Sequence, residues 1–427
     1  MKKSFFNIDS AIMRHHDKAM EKIQEPFKLV EETTQYNQEK VLAAFIENGV
    51  SESHFVETTG YGYGDRGRDT LDRVFAMSMG TEDALVRHSF ASGTHTISVA
   101  LFGVLRPGDT MLCVTGTPYD TLHPIIGLQG QGQGSLKDFG VTYKEIDLTE
   151  DGRVDFFAIE EALKNTKVDL VYIQRSRGYS LRPSLSVEEI GKIVRLVKKY
   201  SKVPVMVDNC YGEFVQEQEP TDFGADLLAG SLIKNPGGGI AKNGGYITGR
   251  ADLVEMCAYR MTAPGLGREI GASLGQNRSL FMGLFNAPHV TGEAVKTAIF
   301  TAALFEELGF DVTPTSAERR FDIIQSVFLR DPDTMVAFCQ GMQSGAPVDS
   351  FVLPEPWEMP GYDSKVIMAA GAFTMGASIE LSADGPLREP YAAWLQGGLN
   401  FHSAKMGVLL AAQSMLKKGC LFNERKE

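Results

Sequence analysis

LLAGSLIKNPGGGIAKNGGYITG, residues 227–249, sets two short apolar runs on either side of a turn holding Lys234, a proline and three glycines. A lysine ordinarily belongs on a solvated face. Lys234 instead stands where the chain leaves a strand-like run and bends sharply, three residues after Ser231. Working outward from it, the same texture repeats. ALVRHSF, TMLCVTG, VTYKEID, VDLVYIQ and VPVMVDN each read as a short strand. Between them THTISVALFGVL, DFFAIEEALKNT and SVEEIGKIVRLVKKYS carry helical spacing. Strands separated by helices predict βαβ units and a mostly parallel sheet covered on both faces. VMVD is apolar up to its aspartate, as a doubly buried strand should be. In such sheets ligands bind beyond the carboxyl ends of the strands, so the residues after each run are the ones to inspect.

The rest of the chain bounds the reading. It has 427 residues, enough for two or three domains. Apolar residues make up 43% and charged residues 22%, ordinary for a globular protein. The net charge of −12 with no basic block is poorly suited to nucleic acid. No apolar stretch is long enough for a membrane span, and the N-terminus has no signal-peptide core. Five scattered cysteines without a CxxC fit reduced thiols in a cytoplasmic protein. Residues 8–48 carry helical spacing, GQGQGSLKDFG (130–140) reads as a surface loop, and residues 399–419 read as a closing amphipathic helix. The expected division is a helical arm over 1–60, a large domain over 61–290 and a smaller C-terminal α/β domain over 291–427.

The strand-end residues form a set. Ser92, Gly93 and Thr94 open a helix, where unpaired N–H groups suit a phosphate, although an ordinary cap explains them as well. Tyr119 stands at a turn and could fill a gap or offer a face to a planar ring. Asp208 ends an apolar strand and needs a partner, either a cap or a cation. Lys234, in an apolar and glycine-lined setting, is expected to be available as a free amine. Pyridoxal phosphate requires an amine, a carboxylate for its ring nitrogen, a stacking ring and a phosphate nest. Lys234, Asp208, Tyr119 and Ser92–Gly93–Thr94 supply all four.

Those residues, with TGYGYGDRGRDTLD, VRHSFASGTHTISVALFGVLRPGD, TGTPYDTL, VMVDNCYGEF and GASIELSADGPLREPYAAWLQGG, carry a resemblance across most of the chain. The chain resembles fold-type I pyridoxal-phosphate enzymes of the Cys/Met metabolism group. Among them it is most similar to the methionine gamma-lyase-like proteins grouped as aluminium-resistance proteins. The resemblance implies a Schiff base at Lys234, Asp208 at the pyridinium nitrogen, Ser231 with Gly93 and Thr94 on the phosphate, and Tyr119 on the ring. It implies that Tyr61 or Tyr63, with Arg66, reaches the phosphate of a neighbouring subunit, although the spacing to the following Leu-Asp departs from the usual pattern. Arg388 is the candidate for the substrate carboxylate, with Arg175 and Arg177 as competitors. The implied protein is a carbon–sulfur lyase of cystathionine beta-lyase or methionine gamma-lyase type. It would deprotonate Cα through Lys234, with Tyr119 relaying a proton, in at least a homodimer and by resemblance a homotetramer. A transferase, desulfurase or aldolase reaction on the same cofactor stays open, as does a non-catalytic regulatory protein.

Overall fold

The computed structural model describes residues 5–130, 132–358 and 364–421. Two helices open the chain, α1 (Ser10–Lys22) and α2 (Gln24–Glu47), divided at Ile23 within the stretch 8–48 whose spacing reads as helical. The chain then divides into two compact units. One comprises Met1–Thr33 with Val290–Glu427, the other Thr34–His289. The arm over 1–60 is therefore not a unit of its own. Its first part groups with the C-terminal residues, and the later part of α2 lies in the large unit, where Val41 and Ala44 are core residues.

The large unit is built on seven strands: β1 (Asp83–Arg87), β2 (Thr110–Cys113), β3 (Thr142–Glu145), β4 (Leu170–Gln174), β5 (Val205–Asp208), β6 (Leu227–Ser231) and β7 (Gly245–Gly249). Their order is β1-β7-β6-β5-β4-β2-β3. Strands β6, β5, β4, β2 and β3 run parallel, and β7 runs antiparallel to both of its neighbours. Helices α3 (Arg66–Ser78), α4 (Gly93–Val104), α5 (His123–Ile126), α6 (Phe156–Asn165), α7 (Val187–Tyr200) and α8 (Ala251–Met261) connect and cover them. Strands β2, β4, β5 and β6 are buried throughout, which explains their unbroken apolar reading. Two apolar clusters form the core, one containing Val171, Val207 and Leu228, the other Tyr172, Met206 and Ala229. Consecutive residues of one strand fall in different clusters because successive side chains point to opposite faces.

A long helix, α9 (Asn277–Glu307), leads onward. The other unit contains β8 (Val312–Thr313), β9 (Ile324–Phe328), α10 (Pro332–Ser344), β10 (Val366–Ala369), β11 (Ser382–Pro386), β12 (Ala392–Gln396) and α11 (Phe401–Lys417). Its five strands form an antiparallel sheet in the order β10-β11-β12-β9-β8. Helices α10 and α11 pack closely on each other, and Gly341 sits against the α11 backbone at Leu410 and Ala411. Among the described residues no helix is long and apolar enough to cross a membrane.

Candidate active site

The parallel strands β4, β5 and β6 end side by side, and the chemistry lies where they end. In the sheet register Gln174 is opposite Asp208, and Asp208 is opposite Ala229. Asp208 closes β5 with 7% of its surface exposed. Its Oδ1 accepts the Cys210 N–H at 3.1 Å, and its Oδ2 lies 3.4 Å from the Tyr172 hydroxyl. Burial pushes this carboxyl up from its ordinary value, and the charge of Lys234 draws it back.

Lys234 follows β6 by three residues, at the head of a short 3₁₀ turn over Asn235–Gly237. Leu232 closes the β6–β7 pair through its N–H to the Gly244 carbonyl at 3.0 Å. The turn after it is pinned by Asn235 Nδ2, which donates to the Glu213 carbonyl at 2.9 Å. Lys234 Nζ rests 3.6 Å from the centre of the Tyr211 ring. Burial alone would favour the free amine. Tyr211, Cys210 and Asp208 outweigh it and hold the ammonium above the ordinary lysine value. Burial thus acts in the direction expected from the sequence, while the neighbouring groups act against it.

Helix α4 begins at the same edge. Ser92 caps it, its Oγ accepting the His95 N–H at 3.0 Å. Ser92 is thereby committed to the helix, so its own hydroxyl serves as the ordinary cap. The N–H groups of Gly93 and Thr94 have no hydrogen-bond partner among the described residues. A Cβ on Gly93 would stand 3.1 Å from the Cβ of Ser231. Ser231 is 1% exposed and its Oγ has no hydrogen-bond partner. A buried hydroxyl without a partner is costly, and beside two free N–H groups it fits an anion. Thr94 Oγ1 lies 3.0 Å from Thr121 Oγ1, which ties the turn carrying Tyr119 to this helix. The Tyr119 N–H donates to Gln174 Oε1 at 2.7 Å, fixing that half-buried ring beyond β4.

Lys234, Asp208, Ser231, Gly93 and Thr94 are thus gathered at one sheet edge, with Tyr119 joined to it through Gln174 and Thr121. Tyr61 and Tyr63 are 69% and 64% exposed, stacked on each other with centroids 5.6 Å apart, and Arg66 is exposed. Arg388 belongs to the other unit, exposed at the turn between β11 and β12. Arg177 is buried in the loop after β4. Arg175 is corrected from substrate ligand to structural residue. It is fully buried, pairs with Glu219 at 3.3 Å and donates to Asn209 and Gln216. Sequence reasoning missed Tyr211, Tyr172, Gln174 and Thr121. Gln174 and Tyr172 could have been found from their place at the end of β4. Tyr211 could not, because its position depends on an unusual backbone conformation.

These residues fit a phosphorylated aldehyde with a cationic ring: an orphaned hydroxyl and a side-chain-free helix start for the phosphate, a buried carboxyl for the ring, an amine for the aldehyde. The comparisons agree with that architecture. A pyridoxal-5'-phosphate-dependent protein, YhfS of Escherichia coli, superposes with a TM-score of 0.62 at 18% identity, covering 91% of this chain and 97% of that one. The fold is that of the fold-type I enzymes. A carbon-sulfur lyase involved in aluminium resistance from Clostridium novyi is 52% identical, with a TM-score of 0.92 and 96% of each chain covered. A Clostridium acetobutylicum protein, described provisionally as a cystathionine beta-lyase involved in aluminium resistance, is 51% identical, with a TM-score of 0.94 over 96% of each chain. The methionine gamma-lyase profile matches residues 12–416, and the chain belongs to the methionine gamma-lyase family.

Proposed function

We propose that the protein is a pyridoxal-phosphate-dependent carbon–sulfur lyase acting on a sulfur-containing amino acid, of cystathionine beta-lyase or methionine gamma-lyase type. The observation that carries this reading is the placement of Lys234 beside Asp208 while Ser231 Oγ is left without a partner next to the start of α4. Pyridoxal phosphate, when bound, supplies an electron sink for a carbanion at the amino acid Cα. Lys234 anchors it and then takes the Cα proton on Nζ. Asp208 holds the ring nitrogen in its charged form. Ser231, Gly93 and Thr94 orient the phosphate. Tyr119 covers the ring and relays a proton to the departing thiol. Arg388 and Arg177 are the two candidates for the substrate carboxylate. A planar guanidinium matches that group with two parallel hydrogen bonds. The exposed Tyr61, Tyr63 and Arg66 are read as serving the phosphate of a second copy, which makes the active form at least a homodimer.

A desulfurase would need a reactive thiolate, and Cys210 is the cysteine beside Asp208. Burial, and then the charge of Asp208, pushes its thiol well above the ordinary value, which disfavours that chemistry.

The test is an absorption spectrum of the purified protein before and after borohydride, then peptide mapping, with 2-oxo acid release from cystathionine, methionine and cysteine. A violet-region band fixed by reduction onto Lys234 is expected. Lys234→Ala should lose the band and at least about a thousandfold in turnover, since the residue has both jobs. A yellow, active Lys234→Ala protein would remove the proposal.

A further inference from the structure

The segment after β5 has a backbone that aromatic residues rarely adopt. Tyr211 has φ +68° and Phe214 has φ +61°. Both are buried. Such conformations persist only where the surroundings over-determine them. Here they do. Arg175 Nη1 donates to Asn209 Oδ1 at 2.8 Å, and Asn209 Nδ2 donates to Glu219 Oε2 at 3.0 Å. The Phe214 N–H donates to Glu219 Oε1 at 2.9 Å. Asn37, fully buried on α2, donates through Nδ2 to the carbonyls of Phe214 and Gln216 at 3.1 and 2.9 Å. The Gln216 side chain accepts from Arg175 Nη2 at 3.1 Å and from the Val187 N–H at 3.0 Å.

This framework holds residues 209–216 from three sides, yet Arg175, Glu219 and Asn37 reach none of the proposed reacting atoms. What it delivers is one ring. Tyr211, at 7% exposure, turns its face to Lys234 Nζ at 3.6 Å. The other ionisable groups acting on that amine are Asp208 at the end of β5, Cys210 in the same loop and, beneath the turn, Glu213. Asp208 is the group needed by a cofactor ring, so it cannot also be the permanent partner of the lysine.

We propose that Tyr211 is the positioning residue for Lys234. Its ring is a fixed cation seat that aims the amine across the strand ends, and the left-handed backbone at 211 exists to deliver that ring. This rests on the reading of Lys234 as the cofactor anchor and goes beyond it by naming what holds the amine whenever it is not bonded to the cofactor. An ammonium over a desolvated aromatic face is stabilised as a cation. Removing the ring should therefore lower the pH at which the amine becomes reactive.

The experiment uses the full-length chain stripped of cofactor with hydroxylamine, its fold checked by circular dichroism. Reductive methylation with formaldehyde and cyanoborohydride is followed across pH by peptide mass mapping. The readout is the labelling midpoint of Lys234 against exposed Lys202. In the wild type the Lys234 midpoint should lie above that of Lys202. Tyr211→Asn removes the ring with a residue that tolerates the left-handed region, and its midpoint should fall by roughly one pH unit. Tyr211→Phe keeps the ring but loses the hydroxyl that also acts on the amine, so its midpoint should fall by less than half as much as that of Tyr211→Asn. A Tyr211→Asn midpoint equal to wild type overturns the proposal, as does a Tyr211→Phe shift as large as that of Asn. If the Asn variant does not fold, Tyr211→Gly serves with the same readings. A wild-type Lys234 midpoint below that of Lys202 overturns the proposal without any variant. Borohydride reduction of the cofactor-loaded wild type is read separately. Cofactor fixed elsewhere than Lys234 defeats the proposed function, while the midpoints still report on Tyr211.

Discussion

Glu213 is fully buried beneath the lysine turn, with Oε1 accepting the Tyr246 hydroxyl at 2.6 Å and Oε2 without a partner. Burial pushes its carboxyl up to about 8, against the pull of Tyr246. An unfolded glutamate ionises at about 4.3. Between those values the folded protein keeps a proton that the unfolded chain has released. Stability is therefore full below the unfolded value and falls as pH rises towards about 8. Glu213→Gln has no such proton to hold. Its unfolding free energy should gain on wild type between about pH 5 and about pH 8, by on the order of a few kcal/mol. Urea unfolding at both pH values checks this, and parallel behaviour would mean that Glu213 is ionised in the fold. Nothing in CYGEF marks Glu213 as buried. Asp208 was legible because a carboxylate at the end of an apolar strand has few explanations. Glu213 was not, because its burial follows from the reversal of the chain after Tyr211.

At the scale of elements, the start of α4 is the piece most open to test. Gly93 is followed by a well-capped helix, and its missing side chain leaves the space beside Ser231 open. An alanine Cβ there would stand 3.1 Å from the buried Ser231 Cβ, tighter than ordinary contact, so the cofactor-free protein should still fold and unfold at a slightly lower temperature. The added methyl would crowd Ser231, and pyridoxal-phosphate affinity should drop at least about tenfold. Fluorescence titration of Gly93→Ala against wild type reads this, and unchanged affinity would remove Gly93 from the phosphate site. The strands of the large sheet were legible because complete burial writes an unbroken apolar run. The break at Ile23 was not, since the helical spacing continues through it. The direction of β7 was also hidden: a hairpin and a crossover leave the same apolar run in the sequence.

At the scale of the whole molecule, Tyr61, Tyr63 and Arg66 face solvent, and the proposed function assigns them to the phosphate of a second copy. If they serve a second copy, two inactive variants should complement each other. Mixing Lys234→Ala subunits with Arg66→Ala subunits, after reversible dissociation, should restore roughly a quarter of wild-type turnover. Half of randomly formed dimers are mixed, and each mixed dimer has one intact site of two. No recovery, with exchange verified by mass spectrometry, would mean that each site is completed within its own chain.

The sequence by itself determined the class of fold and the residues of the strand ends. Alternating strands and helices leave few ways to bury their apolar faces, and such sheets bind ligands at one edge. That logic carries Lys234, Asp208, Ser231 and Gly93 from the sequence alone. Only the tertiary structure decided what each residue does once gathered. It buried Arg175 against Glu219, turned the Tyr211 ring to the amine through a left-handed backbone, and gathered around Lys234 the neighbours that act on its charge. The reason is one of range. Burial patterns are written locally in the chain, whereas the charge state of a buried group depends on neighbours that only folding brings within a few ångströms.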